Sequence, residues 1–122
     1  MSGATRADHE VDFSRYTRIK ASRQGRVLTL ALSNPALMNA VDGDMHRELS
    51  TIFLDAADDK LSDVIVLTGE GAAFSAGGDL NWMKRSFEAG ESGPDAAEAK
   101  RIIFSLLDLE KPIIAKVRGP AV

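Results

Sequence analysis

The stretch Gly69 to Asp79, GEGAAFSAGGD, holds four of the chain's ten glycines and reads as a loop that opens a helix near Asp79. Backbone N–H groups at a helix start lack intrahelical acceptors and sit at the positive end of the dipole. They can bind a phosphate, or hold a carbonyl oxygen as it becomes negative. Gly77 and Gly78 leave the backbone uncovered, so a ligand atom can come close. A plain flexible connection that lets the helix turn back uses glycines in the same way, and the pattern alone weighs the two evenly.

Known loops of this kind fit poorly. A Walker loop needs Gly-Lys-Ser/Thr, but Asp79 follows Gly78; a dinucleotide fingerprint needs glycine where Phe74 stands. Ala73 to Gly77 is a degenerate nucleophile elbow, yet that motif wants a strand running into the serine and a histidine downstream. Here the strand ends near Thr68, and His9 and His46 both lie upstream. Ser75 therefore reads as a loop-stabilising hydroxyl. Asp79 reads as a helix cap rather than an acid or base. His46, in the first turn of a helix with no clustered partner, reads as solvated or capping. Glu70, Glu88 and Arg101 read as surface. Trp82 and Met83 could line a pocket, although apolar helix residues beside a sheet are usually core.

These residues need elements to hold them. Tyr16–Ser22 is a candidate edge strand, followed by a turn at Arg23–Arg26. Val27–Leu32 is nearly continuous apolar, as in a strand buried on both faces. Asn34-Pro35 breaks it. Met45, Leu49, Ile52, Phe53 and Ala56 mark one face of a helix capped by Asp42. Val64–Thr68 is a short β-branched strand. A helical piece covers Leu80–Phe87, and Pro94 starts another whose stripe is Ala99, Ile102, Ile103 and Leu106. Ile113–Val117 is a last strand. Strands alternating with helices make parallel βαβ units, hence an α/β class. Ligands of such sheets gather at the carboxyl ends of strands, where the glycine loop begins. The sequence ends just after a strand, so a sheet covered on both faces would need more; residues 16–122 read as the front part of a longer domain, truncated here, and 1–15 as a frayed polar lead-in.

Composition narrows the classes. Without cysteine there is no disulfide, thiolate–zinc site or thiol nucleophile. A net charge of −3 argues against nucleic-acid binding. No apolar run approaches the roughly 20 residues that span a bilayer, and the N-terminus resembles no signal or transit peptide. A cytoplasmic protein is expected.

Ala73-Phe74-Ser75-Ala76-Gly77-Gly78-Asp79-Leu80 resembles the enoyl-CoA hydratase/isomerase family, the crotonases. Asn34-Pro35 to Met38-Asn39-Ala40-Val41, Leu61 to Thr68, and Lys111 to Ala121 resemble family segments in the same order. The resemblance covers about Val27 to Val122; it is specific for the superfamily and a poor guide to the individual reaction.

The resemblance implies a spiral of ββα units and a CoA thioester ligand, with CoA as part of the substrate rather than a resident cofactor, and no metal. Gly78 matches one of two N–H donors that hold the thioester oxygen; the second donor and the hydratases' two glutamates fall after the Gly-Pro-Ala segment. Met38, Ala40, Ala76, Gly77, Asp79, Leu80 and Asn81 match the CoA-binding surroundings, and Trp82 and Met83 the acyl pocket. Ala36 stands where many members carry a basic residue near the CoA phosphates. The implied reaction is hydration of a 2-enoyl-CoA. The alternatives are double-bond isomerisation, thioester hydrolysis, dehalogenation, or CoA binding without turnover. The implied assembly is a homotrimer or homohexamer, without nucleic acid or membrane partners.

Overall fold

The computed structural model describes residues 11–90 and 93–122. Four strands, β1 (Ile19–Gln24), β2 (Val27–Leu32), β3 (Val64–Gly69) and β4 (Ile113–Ala115), form one sheet in the order β1-β2-β3-β4. β1 and β2 make an antiparallel hairpin, with Gly25 at φ +60° in its turn. β2–β3 and β3–β4 are parallel. The first crossover carries α1 (Gly43–Asp58), and the second carries α2 (Leu80–Ala89) and α3 (Pro94–Leu107). This is the α/β arrangement that the alternation of elements dictates, since a parallel return needs a long connection.

Differences from the sequence reading have local causes. The first strand runs to Gln24 because the tight hairpin extends the ladder to Gln24↔Val27. β2 alternates buried and half-buried residues instead of burying both faces: Leu28, Leu30 and Leu32 face the core, and Val27, Thr29 and Ala31 are half-buried. β4 stops at Ala115, and Ile114 and Val117 stand exposed. Part of the expected frayed lead-in is docked: Phe13 packs on the core, Tyr16 N–H donates to the Phe13 carbonyl, and Arg15 pairs with Asp55. Residues 1–10 of that lead-in lie outside the described residues.

The core sits between the sheet and α1. Ile19, Leu28, Leu30, Met45, Ile52, Phe53, Ala56 and Ile65 are almost fully buried. Each large side chain of this set contributes about 2 kcal/mol. Asp42 caps α1 by accepting from Met45 N–H at 2.9 Å. At the other end of α1, Lys111 donates to the Ala56 and Asp59 carbonyls, satisfying acceptors that a helix end leaves open.

Asp59 anchors the same corner. Its side chain is fully buried and accepts twice from Arg23, at 3.0 and 2.9 Å. Burial pushes its carboxyl upward, but hydrogen bonds from Arg23 and Ser62 and the Arg23 charge outweigh that and hold it below the usual carboxylate range. A depressed folded value stabilises the fold above the unfolded pKa of about 4 and loses that contribution as pH falls through the folded value. Asp59→Ala is expected to cost about 3 kcal/mol at neutral pH, because it strips Arg23 of a buried carboxylate. Urea denaturation across pH checks this: the difference between wild type and variant should shrink below about pH 4.

Candidate functional site

The glycine loop leaves the carboxyl end of β3 and is clamped from two sides. On one side lies the turn after β2. Val41 N–H donates to the Gly77 carbonyl at 2.7 Å, and Asp79 N–H donates to the Val41 carbonyl at 2.8 Å. These bonds make a parallel bridge between Val41 and Gly78. In such a bridge the peptide groups alternate in direction. With the Gly77 carbonyl and the Asp79 N–H both turned to Val41, the N–H of Gly78 points away from it. No described residue accepts from that N–H. On the other side lies the segment after β4: Phe74 and Ser75 N–H groups donate to the Pro120 carbonyl, and Val122 N–H donates to the Ser75 carbonyl.

Gly77 adopts φ +93°, a conformation that turns the chain into the bridge and that a side chain would strain. At Gly78, a Cβ would come within 2.5 Å of Met83 Sδ. The thioether therefore covers the Cα side of Gly78. Asp79 caps α2 by accepting from Trp82 N–H at 3.0 Å, as its place before the helix predicts. Ser75 acts as the loop-stabilising hydroxyl expected: its Oγ donates to the Asn39 carbonyl and accepts from Gly77 N–H.

Asn39 is the residue that sequence reasoning passed over. It is 2% exposed and sits at φ +61°, next to Met38 at +51°. Its Oδ1 accepts from Asn34 N–H at 2.8 Å. Its Nδ2 donates to the Glu70 and Ala73 carbonyls, both at 2.9 Å. One side chain thus ties the turn after β2 to both limbs of the glycine loop. A signal was present: an asparagine in a short turn readily takes left-handed backbone.

The expected ligand-contacting residues divide into groups. Met38, Ala40, Ala76, Gly77 and Gly78 lie together along the clamp, where Ala76 N–H donates to the Met38 carbonyl at 3.0 Å. Ala40 is buried, Met38 is exposed, and Ala76 and Gly77 are half-buried. Leu80 and Asn81 are exposed on the first turn of α2. Trp82 is half-buried and Met83 exposed, and neither belongs to the core. They line an open groove of about 580 Å³ between the helices, together with His46, Phe87 and Asp95. A cavity of about 700 Å³ against β1 contains none of these residues.

His46 departs from expectation. It is neither solvated nor capping: its ring lies 4.7 Å from the Trp82 ring, and Nδ1 is 2.9 Å from Glu98 Oε1 on α3. The partner is far away in sequence, so the histidine looked isolated. His46, Asp95 and Glu98 place one donor atom each within 4.8 Å of one another.

The description Enoyl-CoA hydratase/isomerase fits residues 22–122 as a family match. The chain is 36% identical over 100 residues to 2,3-dehydroadipyl-CoA hydratase of Escherichia coli, covering 82% of this chain and 38% of that protein. It is 31% identical to 1,2-epoxyphenylacetyl-CoA isomerase of the same organism, covering 78% of this chain and 37% of that one. A crystal structure of an enoyl-CoA hydratase/isomerase from Mycobacterium paratuberculosis superposes with a TM-score of 0.79 at 31% identity, over 86% of this chain and 43% of that one. The chain belongs to the enoyl-CoA hydratase/isomerase family and carries part of the crotonase fold. It spans about two-fifths of the length of these relatives.

Proposed function

We propose that the chain contributes the thioester-binding part of an enzyme that hydrates 2-enoyl-CoA. The observation that carries this reading is the Gly78 N–H, which has no acceptor among the described residues, lies beyond the carboxyl end of β3 and is fixed by the two bonds of its neighbours to Val41. Adding water at C3 and a proton at C2 of an enoyl thioester passes through an enolate-like species. A donor already aimed at the developing oxyanion lowers that barrier without reorganising, by about 3 kcal/mol. Two carboxyl groups would move the water and the proton. By the resemblance these follow the Gly-Pro-Ala segment, so none of the acids described above takes their role.

The backbone refines the proposed CoA contacts. Ala76 N–H is engaged by the Met38 carbonyl and Ala40 N–H by the Leu37 carbonyl. Ala76 can therefore offer its carbonyl oxygen to the adenine amino group but no free N–H, whereas the buried Ala40 carbonyl already accepts from Asn34 Nδ2 at 2.9 Å. Gly77, Asp79, Leu80 and Asn81 would flank the pantetheine, and Trp82 and Met83 the acyl group. By the same resemblance the enzyme would assemble as a trimer or pair of trimers.

Crotonyl-CoA given to the complete enzyme, in which the second donor and both glutamates of the resemblance are present, and followed by absorbance and product mass, tests the reading. Loss of the enoyl absorbance with appearance of 3-hydroxybutyryl-CoA is expected. Free CoA as product would indicate hydrolysis, and a displaced double bond isomerisation. Binding without any product would leave a CoA-binding module, and all three outcomes contradict the hydratase reading.

A further inference from the structure

Val41 sets the direction of the Gly78 N–H, because both bonds that fix the loop there end on its backbone. Val41 is itself bracketed by one buried side chain. Asn34 lies between β2 and Pro35 and is 5% exposed. Its Nδ2 donates to the Ala40 carbonyl at 2.9 Å and, over a longer 3.4 Å, to Asp42 Oδ2. These acceptors belong to the residues immediately before and after Val41. Both hydrogens of a single amide nitrogen are thus spent on the two flanks of the clamp. The backbone of Asn34 closes the same turn from its other end, where its carbonyl accepts from Leu37 N–H at 3.0 Å and Asn39 N–H at 2.9 Å.

Asp42 is held in its turn. Its Oδ1 caps α1 through Met45 N–H, and its Oδ2 also accepts from Arg18 Nε at 3.3 Å. Arg18 is fixed through its own backbone: its N–H donates to Glu48 on α1 at 2.9 Å, and its carbonyl accepts from Ser33 N–H at 2.7 Å. Asn34 and Asp42 therefore refer Val41 to the start of α1 and to the end of the sheet. The Asn39 side chain works elsewhere, on the limb of the glycine loop before Gly77.

We propose that Asn34 is a positioning residue for the oxyanion donor: through Ala40 and Asp42 it fixes Val41, and through Val41 it aims the Gly78 N–H. The inference rests on the reading of Gly78 as the group that receives the thioester oxygen. Asn34 is buried, so it acts on the alignment of the donor rather than on the ligand. A preorganised donor works only when it is already aimed at the place where charge develops, and a misplacement of about 1 Å can cost up to about 100-fold in rate.

In the complete enzyme, Asn34→Ala removes the amide and keeps the backbone bonds of the turn. It is expected to lower kcat for a 2-enoyl-CoA about tenfold while changing KM by less than about twofold. Without ligand, the amide hydrogens of Val41 and Asp79 should exchange faster than in wild type. The shift of the Gly78 amide on adding butyryl-CoA should shrink. Asp42→Ser is the second variant. Serine still caps α1 but is too short to reach Asn34 and Arg18 as well, so this protein should fold even where Asn34→Ala does not. It should show the same pattern with a fall of about threefold in kcat, since the bond it removes from Asn34 is the longer one. Asp59→Ala weakens the fold at the opposite end of α1 and should leave both kcat and the Gly78 shift near wild type. Variants at Asn34 and Asp42 that match wild type in kcat would overturn the proposal. A rise in KM with kcat unmoved, or an equal fall in kcat in Asp59→Ala, would overturn it too. A wild-type Gly78 amide that ignores butyryl-CoA would instead refute the reading of Gly78, and this inference with it.

Discussion

In the complete enzyme, Gly78→Pro is expected to lower turnover of a 2-enoyl-CoA about 100-fold or more, because proline has no N–H to offer the oxyanion. The backbone at Gly78 lies outside the left-handed region, and proline brings the same Cβ beside Met83 Sδ that alanine does, so the alanine variant measures the steric part of the loss. The two bonds that fix the loop to Val41 belong to Gly77 and Asp79 and can persist. Gly78→Ala keeps the N–H and should be milder. The structure nevertheless predicts a measurable loss for it, since the new Cβ meets Met83 Sδ. Combining Gly78→Ala with Met83→Ala should recover part of that loss. Steady-state kinetics check the series: the proline variant should lose kcat far more than it raises KM.

Asn39→Ala is expected to be the most damaging change outside the glycines. It would leave the Asn34 N–H and the Glu70 and Ala73 carbonyls without their side-chain partner in a largely buried place. Buried groups left unpaired cost about 1–3 kcal/mol each, and alanine is also less tolerant of the left-handed backbone there. A loss of about 3–4 kcal/mol of stability is expected, together with loss of thioester binding. Asn39→Asp is nearly isosteric but places a second oxygen against those two carbonyls, so it should be no better at neutral pH. Urea denaturation of both variants measures the effect. A variant as stable as wild type would mean that the glycine loop holds its shape without this side chain.

Legibility in the sequence followed the range of the interactions. The α1 stripe of Met45, Leu49, Ile52, Phe53 and Ala56 was readable because helical periodicity is local, and the caps Asp42 and Asp79 because capping acts within one turn. Ser75 was readable by elimination, since the loop lacked what a nucleophile needs. The pairing of His46 with Glu98 was not readable. It depends on α3 crossing α1, and no spacing rule connects residues that far apart. The reach of Asn39 was hidden for the same reason: its partners lie beyond β3, and the turn it occupies displays its exposed neighbour Met38 more conspicuously. The exposure of Ile103, Phe104 and Leu107 on α3 was also missed, because an apolar stripe in a sequence does not say how much of it finds a partner.

The central claim is that the Gly78 N–H receives the thioester oxygen. The measurement that tests it most directly is the amide proton and nitrogen shift of Gly78 during titration with butyryl-CoA and with a CoA thioether of equal length that lacks the carbonyl. A downfield shift of the Gly78 amide with the thioester, and little change with the thioether, is the predicted result. Equal shifts with both ligands, or a Gly78 amide that stays fixed while other residues respond, would contradict the claim.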